Sequence, residues 1–424
     1  MDFKEESLKL HKKLRGKLTV ESKHHLTNKN DLSLLYTPGV AEICKKISEN
    51  KENLYEYTIK NNSVAVISDG SAVLGLGEIG PEAALPVMEG KAILLKRFAG
   101  VDAYPLCIKR NGVNEFVQNI VNLTSSFGAI NLEDIKAPFC FDIEKKLKEK
   151  TNIPIFHDDQ HGTAIVVLAG LFNSLKLVEK NIENIKIVIA GAGAAGFAVT
   201  KLLSTAGAKN IIVVDKKGVV YKERAGNDKY LEQLGEISGE RRARNLKDAF
   251  KNSDVFIGVS TGDIVTGKMI KSMNKNPIIF ALANPTPEIS YYKAKKARDD
   301  AICATGRSDF PNQVNNVLGF PFIFRGALDV RAKKISDKMK IAAAQALAEL
   351  ARKPVPEYIN NIYNTNLEFG PDYIIPKAFD HRILIYESFA VAKTALIENN
   401  FRKNIDLTKY KKNLEKLSED LIQI

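Results

Sequence analysis

From Val64 to Thr305, short apolar runs alternate with stretches of helical period, the pattern of parallel strands joined by helices that pack on the sheet faces. The runs predict strands at Val64 to Ile67 and Ala103 to Ile108, with a helix over Glu82 to Phe98 between them. Farther along they predict strands at Lys186 to Ala190, Ile211 to Val214, Asp254 to Val259, Ile278 to Ala281 and Ala301 to Ala304. An apolar helix, Ala164 to Leu171, lies between the two groups. Lys340 to Ala348 is rich in strong helix formers and Pro354 closes it, so it reads as a packing helix. The tail after Glu398 is amphipathic and charged, suited to docking on the body or on a second subunit. The expected fold class is α/β in two domains: residues 1–156, residues 157–390 as a doubly wound parallel sheet, and a helical tail over 391–424.

Gly-x-Gly-x-x-Gly occurs twice, at Gly75, Gly77 and Gly80 and at Gly191, Gly193 and Gly196, and context separates the two. The second follows the strand ending at Ala190, opens a helix over Phe197 to Thr205, and returns through Gly207 to a strand that ends in Asp215. That is the Rossmann-type dinucleotide unit. Gly191 makes the tight turn, Gly193 admits the pyrophosphate, Gly196 lets the helix pack close, and the N–H groups of Ala192, Ala194 and Ala195 border the phosphates. Asp215 is placed to accept from a ribose 2′-OH, which favours NAD, while Lys216 and Lys217 beside it tolerate the 2′-phosphate of NADP. A glycine-rich turn in a purely structural unit is the alternative. The first run lacks an acid at the end of its following strand, so it is expected only to bring backbone near a ligand.

Composition narrows the picture. A chain of 424 residues outgrows one ordinary core, and 45% apolar with 26% charged residues is the balance of a globular protein. No apolar run approaches the roughly 20 residues that span a bilayer, so no membrane role is expected. The charge of +12 is spread among Asn and Ile rather than gathered with aromatics, which argues against a nucleic-acid partner and leaves room for an anionic substrate. Met1 to Lys17 carries Asp2, Glu5 and Glu6 and no apolar core, so a cytoplasmic location is expected. Cys44, Cys107, Cys140 and Cys303 show no Cys-x-x-Cys spacing and are expected reduced and buried.

His157-Asp158-Asp159-Gln160-His161 precedes the apolar helix. Three readings stand: an acidic helix cap, a zinc site on His157 and His161, or a hard-cation site in which Glu133 and Asp134 add oxygens for Mg²⁺ or Mn²⁺.

Asp31 to Ala41, Val73-Leu74-Gly75-Leu76-Gly77-Glu78-Ile79-Gly80, Met88 to Ala92, Asn131 to Ile135, His157 to Ala164, Ala283-Asn284-Pro285-Thr286 and Val314-Asn315-Asn316 keep one order along the chain. In these motifs the chain resembles the malic enzymes of the short prokaryotic type. The resemblance implies a substrate-binding malic domain ahead of the Rossmann-type domain, and conversion of L-malate with NAD(P)⁺ into pyruvate, CO₂ and NAD(P)H with a divalent cation. It implies Lys91 as general base, Tyr36 as general acid at C3, Glu133, Asp134 and Asp159 as metal ligands, and Asp158 as the acid tuning Lys91. It also implies Asn284 and Asn315 as amides contacting nicotinamide and substrate, and a homodimer.

Without the resemblance, Lys91 reads as a snorkelling surface lysine, Tyr36 as a turn aromatic, and the two asparagines as turn caps. A lysine base requires an amine kept neutral by burial or neighbouring positive charge. Larger family members hold a malate carboxylate with an arginine just before the Leu-Gly-Leu-Gly run, where this chain has Ala72-Val73. Near the metal acids it has Pro138-Phe139-Cys140-Phe141-Asp142, where short forms tend to end Cys-Phe-Glu. The chain ends without the acyltransferase-like extension of some relatives, so no second activity is expected. A metal-dependent dehydrogenase of another hydroxy acid and a non-catalytic NAD sensor are the alternative functions.

Overall fold

In a computed structural model, residues 3–73, 75–224, 226–239 and 243–422 are described; Met1, Asp2 and Leu74, named above, lie outside them. Two sheets organise the chain. The first is four-stranded and parallel in the order β2-β1-β3-β4, with β1 Ser63–Ser68, β2 Asp102–Cys107, β3 Ala129–Leu132 and β4 Ile155–His157. The second runs β10-β9-β8-β5-β6-β7, from β5 Lys186–Ala190, β6 Asn210–Asp215, β7 Gly218–Val219, β8 Val255–Gly258, β9 Ile278–Ala281 and β10 Ile302–Thr305. All but the antiparallel β7 are parallel in it, so the α/β expectation holds.

β1 and β5 are central and lack the alternation of a half-exposed strand because both their faces are covered. Val64, Val66, Ile187 and Ile189 are fully buried, each contributing about 1.5–3 kcal/mol of transfer free energy. The helix Pro81–Ala99 starts with proline at its first turn and stops at Gly100, whose φ of 64° suits a residue without Cβ.

Several boundaries moved. The apolar helix runs Asp158–Leu177 rather than Ala164 to Leu171, because its polar first turn is covered at the site instead of facing water. Its N-cap is His157, not an acid, and that side chain caps nothing. The glycine-turn helix is Ala194–Thr205, three residues longer at its start than predicted. β3 and β4 have no counterpart in the predicted strands. Of the cysteines only Cys140 and Cys303 are buried; Cys44 is exposed and Cys107 half-buried, and all four are free thiols.

The C-terminal helix Leu407–Ile422 docks on the body of its own chain, burying Tyr410 and Leu414, with the Tyr410 hydroxyl donating to Asp329 at 2.8 Å. Among the described residues no helix is long and apolar enough to cross a membrane.

Glu387, on the helix Arg382–Ile397, is fully buried and neither carboxyl oxygen has a hydrogen-bond partner. Burial alone pushes its carboxyl well above 4.5. The unfolded chain therefore releases this proton near 4.5 while the fold keeps it, and stability drains as pH rises above that value. Glu387→Met should raise stability by about 1–3 kcal/mol at pH 8 and progressively less towards pH 4.5, read from melting temperatures at both ends of that range. A variant no more stable than the parent at pH 8 would contradict the neutral, unpartnered carboxyl.

Candidate active site

The site lies where parallel sheets bind ligands, beyond the carboxyl ends of the strands. β3 ends at Leu132 and is followed by Glu133 and Asp134; β4 ends at His157 and is followed by Asp158 and Asp159. The loop after β3 is held to β1 and to the turn that follows it, since the Glu133 N–H donates to the Ile67 carbonyl at 2.9 Å and the Ala72 N–H to the Asp134 carbonyl at 2.9 Å. Asp134 takes a left-handed φ of 54°, which Asp tolerates better than most residues, and its N–H donates to Asp159 Oδ2 at 2.9 Å. One carboxylate oxygen each from Glu133, Asp134 and Asp159 comes within 4.8 Å of the other two. Three clustered hard oxygens fit a Mg²⁺- or Mn²⁺-sized cation.

Neither histidine joins that group, which disposes of the zinc reading. His157 is sealed in with both ring nitrogens unpartnered, its Nδ1 3.8 Å from Asp159. His161 pairs with Glu144 at 2.7 Å and Lys340 at 3.1 Å, and burial first of all lowers its pKa to about 4.

Lys91 enters from the helix Pro81–Ala99 with its side chain only 12% exposed. Its Nζ donates to Asp158 Oδ2 at 2.5 Å, sits 3.0 Å from Glu133 Oε1, and lies 4.6 Å from the centre of the Phe320 ring. A snorkelling surface lysine is thus excluded. Its protonation departs from the expected neutral amine: burial works against the charge, but Asp158 and Glu133 outweigh it and hold the ammonium above the ordinary range. Burial in turn pushes Glu133 and Asp158 upward, with Lys91 pulling back.

Sequence reasoning missed the residues that hold these acids. Asn316 Nδ2 donates to Asp158 Oδ2 at 2.6 Å, and Asn131 Nδ2 to Glu133 Oε2 at 2.9 Å. Gly162, one turn past Asp158, leaves the space that carboxylate occupies, for a Cβ there would collide with its Oδ1. Asn316 was within view as the neighbour of Asn315, and Asn131 as the residue two before Glu133.

The second sheet offers the cofactor cradle. Gly191 (φ 124°) has room for no Cβ against the Val259 carbonyl, and Gly196 none against the Gly191 carbonyl, whereas Gly193 faces open space. That is the tight turn, close packing and clear approach a pyrophosphate needs. Ala192, Ala194 and Ala195 line the turn and the first helical residues. Asp215 ends β6 across from Gly191, and Asn284 is exposed just past β9.

Gly75 packs its Cα side on Pro285, so the first glycine run meets the Asn284 loop without forming a second cradle. Asn315 acts as a cap, its Oδ1 accepting from the Val317 N–H at 3.0 Å while its Nδ2 donates to the Gly306 carbonyl at 3.3 Å.

Tyr36 is not brought to Lys91 within the chain. It ends the helix Lys29–Leu35 with 67% exposure, on an arm whose three helices Phe3–Leu14, Lys29–Leu35 and Val40–Glu49 bury no residue. The arm is tethered where Lys17 Nζ donates to the Pro86 carbonyl at 2.7 Å.

A glycine turn on a doubly wound sheet, together with a buried lysine among carboxylates that could hold a hard cation, is the equipment of a dinucleotide-dependent oxidoreductase. The family "Malic enzyme, N-terminal domain" matches residues 15–112 and "Malic enzyme, NAD binding domain" residues 160–363. The chain belongs to the malic enzyme family, whose relatives include both NAD- and NADP-dependent enzymes. It is 52% identical over 408 residues to a bifunctional malic/malolactic enzyme of Bacillus subtilis, covering 96% of each chain. It is 47% identical to an NAD-dependent malic enzyme of Geobacillus stearothermophilus, covering 92% of this chain and 78% of the relative. The crystal structure of malic enzyme from Pyrococcus horikoshii superposes with a TM-score of 0.91 at 43% identity, covering 99% of this chain and 97% of that one.

Proposed function

We propose that the chain oxidises L-malate at C2 with NAD(P)⁺ and releases C4 as CO₂, leaving pyruvate. The observation that carries this is Lys91, enclosed at 2.5 Å from Asp158 and 3.0 Å from Glu133 beside the cluster of Glu133, Asp134 and Asp159. Lys91 takes the C2 hydroxyl proton as hydride leaves C2 for the nicotinamide, and Asp158, fixed by Asn316, keeps the amine aimed. A divalent cation on Glu133, Asp134 and Asp159 supplies Lewis-acid polarisation of the substrate oxygens and positive charge that offsets the field holding Lys91 protonated. Gly191 to Gly196 bind the pyrophosphate, Asn284 and Asn315 orient nicotinamide and substrate, and residues 1–156 and 157–390 are the substrate and cofactor domains. The free thiols suit a reducing cytoplasm.

Tyr36 protonates C3 of the enolpyruvate, and we place it in the site of a second copy. Val20 is 90% exposed, Leu34 73% and Leu26 61%, an apolar stretch beside Tyr36 that a homodimer would cover. Mixing Tyr36→Phe with Lys91→Ala, each nearly inactive alone, should restore up to about a quarter of parent activity once subunits exchange, since half of the dimers are mixed and each mixed dimer holds one intact site. Lack of any recovery despite demonstrated exchange would place Tyr36 elsewhere.

The deciding assay gives the protein L-malate, Mn²⁺ and either cofactor. Reduced cofactor and pyruvate in equal amounts are expected. Oxaloacetate without pyruvate would mark a dehydrogenase that does not decarboxylate, and cofactor binding without turnover a sensor.

A further inference from the structure

We infer that the adenosine-ribose corner of the second sheet is a 2′-phosphate site, with Arg224 selecting NADP over NAD. This rests on the dinucleotide reading above and concerns the cofactor's end remote from the chemistry.

In an NAD site of this architecture the acid ending the second strand accepts from the ribose 2′-OH. Here that carboxylate is already engaged. Arg224 grips Asp215 with both prongs, Nη1 donating to Oδ1 at 2.9 Å and Nη2 to Oδ2 at 2.5 Å, while the Lys217 N–H donates to Oδ1 at 2.7 Å. The fork cancels the charge that would repel a phosphate and fills most of the lone pairs that would receive a hydroxyl. Arg224 is no loose surface arm: its side chain is 16% exposed, and Nη1 also donates to the Gly218 carbonyl at 3.1 Å. Gly218 makes the fold-back possible with φ of 112°, pairing with Asp215 across the β6–β7 turn.

Three of the five guanidinium protons are thereby used, and Nε and the second Nη2 proton remain for a ligand. Among the described residues the exposed side chains of Lys216 and Lys217 enter no ion pair, so positive charge gathers beside a neutralised acid. A planar fork with two free donors and two adjacent ammonium groups suits a phosphate dianion better than a neutral hydroxyl.

Calorimetric titration of the whole protein with adenosine 2′,5′-bisphosphate and with adenosine 5′-monophosphate tests this without catalysis. The bisphosphate should bind about thirtyfold tighter, the value of one or two charge-assisted hydrogen bonds. Arg224→Gln should bring the ratio near one by weakening the bisphosphate alone, and Arg224→Lys should keep part of the preference. Asp215→Asn should retain it. Equal binding of both nucleotides by the parent, or equal weakening of both in a folded Arg224→Gln protein, the mark of a merely structural ion pair, would overturn the inference. Malate turnover with NAD⁺ and no 2′-phosphate preference would overturn it while leaving the enzyme reading intact; failure to bind either nucleotide would overturn both.

Discussion

Lys91→Ala should lose malate oxidation by about 10³-fold or more, the scale of a removed general base in a closed site. The ammonium lies 2.5 Å from Asp158 and 3.0 Å from Glu133, so its loss also leaves two buried carboxylates facing each other. That substitution alone confounds lost chemistry with lost charge balance. Lys91→Arg separates them, because a guanidinium keeps the positive charge but cannot surrender its proton at working pH. Lys91→Arg is expected to melt close to the parent and still fail to reduce cofactor. Near-normal turnover in either variant, measured by cofactor absorbance at saturating malate, would remove Lys91 from proton transfer.

Chelation should silence the enzyme to a comparable degree. Several kcal/mol of charge stabilisation depend on the cation, so EDTA is expected to cut turnover at least about 10²-fold, with recovery on adding Mg²⁺ or Mn²⁺. Asp159→Asn should move the Mn²⁺ concentration needed for half-recovery upward, since one of three anionic oxygens becomes neutral. Binding should also raise thermal stability, by about 2.7 kcal/mol at a hundred times the dissociation constant. Full activity in exhaustively chelated protein would refute the assignment of Glu133, Asp134 and Asp159.

The dinucleotide half was the more legible in the amino-acid pattern. A glycine spacing set between a strand and a helix, and followed by a strand ending in an acid, specifies its own geometry, and the strand Lys186–Ala190 emerged residue for residue. The first sheet was harder because Asn131 breaks the apolar run of the four-residue β3 and β4 is only three residues long. The buried Lys91 was invisible to periodicity altogether, for nothing along a helix announces that carboxylates following β3 and β4 will meet it.

Asn316 and Arg224 were missed for a related reason: each acts on an acid, and pairing across 158 and 9 residues is decided by the fold. Tyr36 marks a different limit, a residue whose surroundings are not supplied by its own chain's body.

The helix Asp158–Leu177 begins with two acids of the site and ends among the supports of the second sheet. Asn173 near that far end donates to the Ala348 carbonyl at 3.0 Å and the Ile374 carbonyl at 2.8 Å, and accepts from Arg352 at 2.8 Å. The helix is a stiff rod and Asn173 lies about 22 Å along it from Asp158, so a tilt of about 2.5° pivoting at Asn173 displaces its first residue by about 1 Å. Misplacement on that scale can cost about a hundredfold in rate. The anchorage of Asn173, remote from any reacting atom, thus works as the fixed end of a lever whose tip carries Asp158 and Asp159.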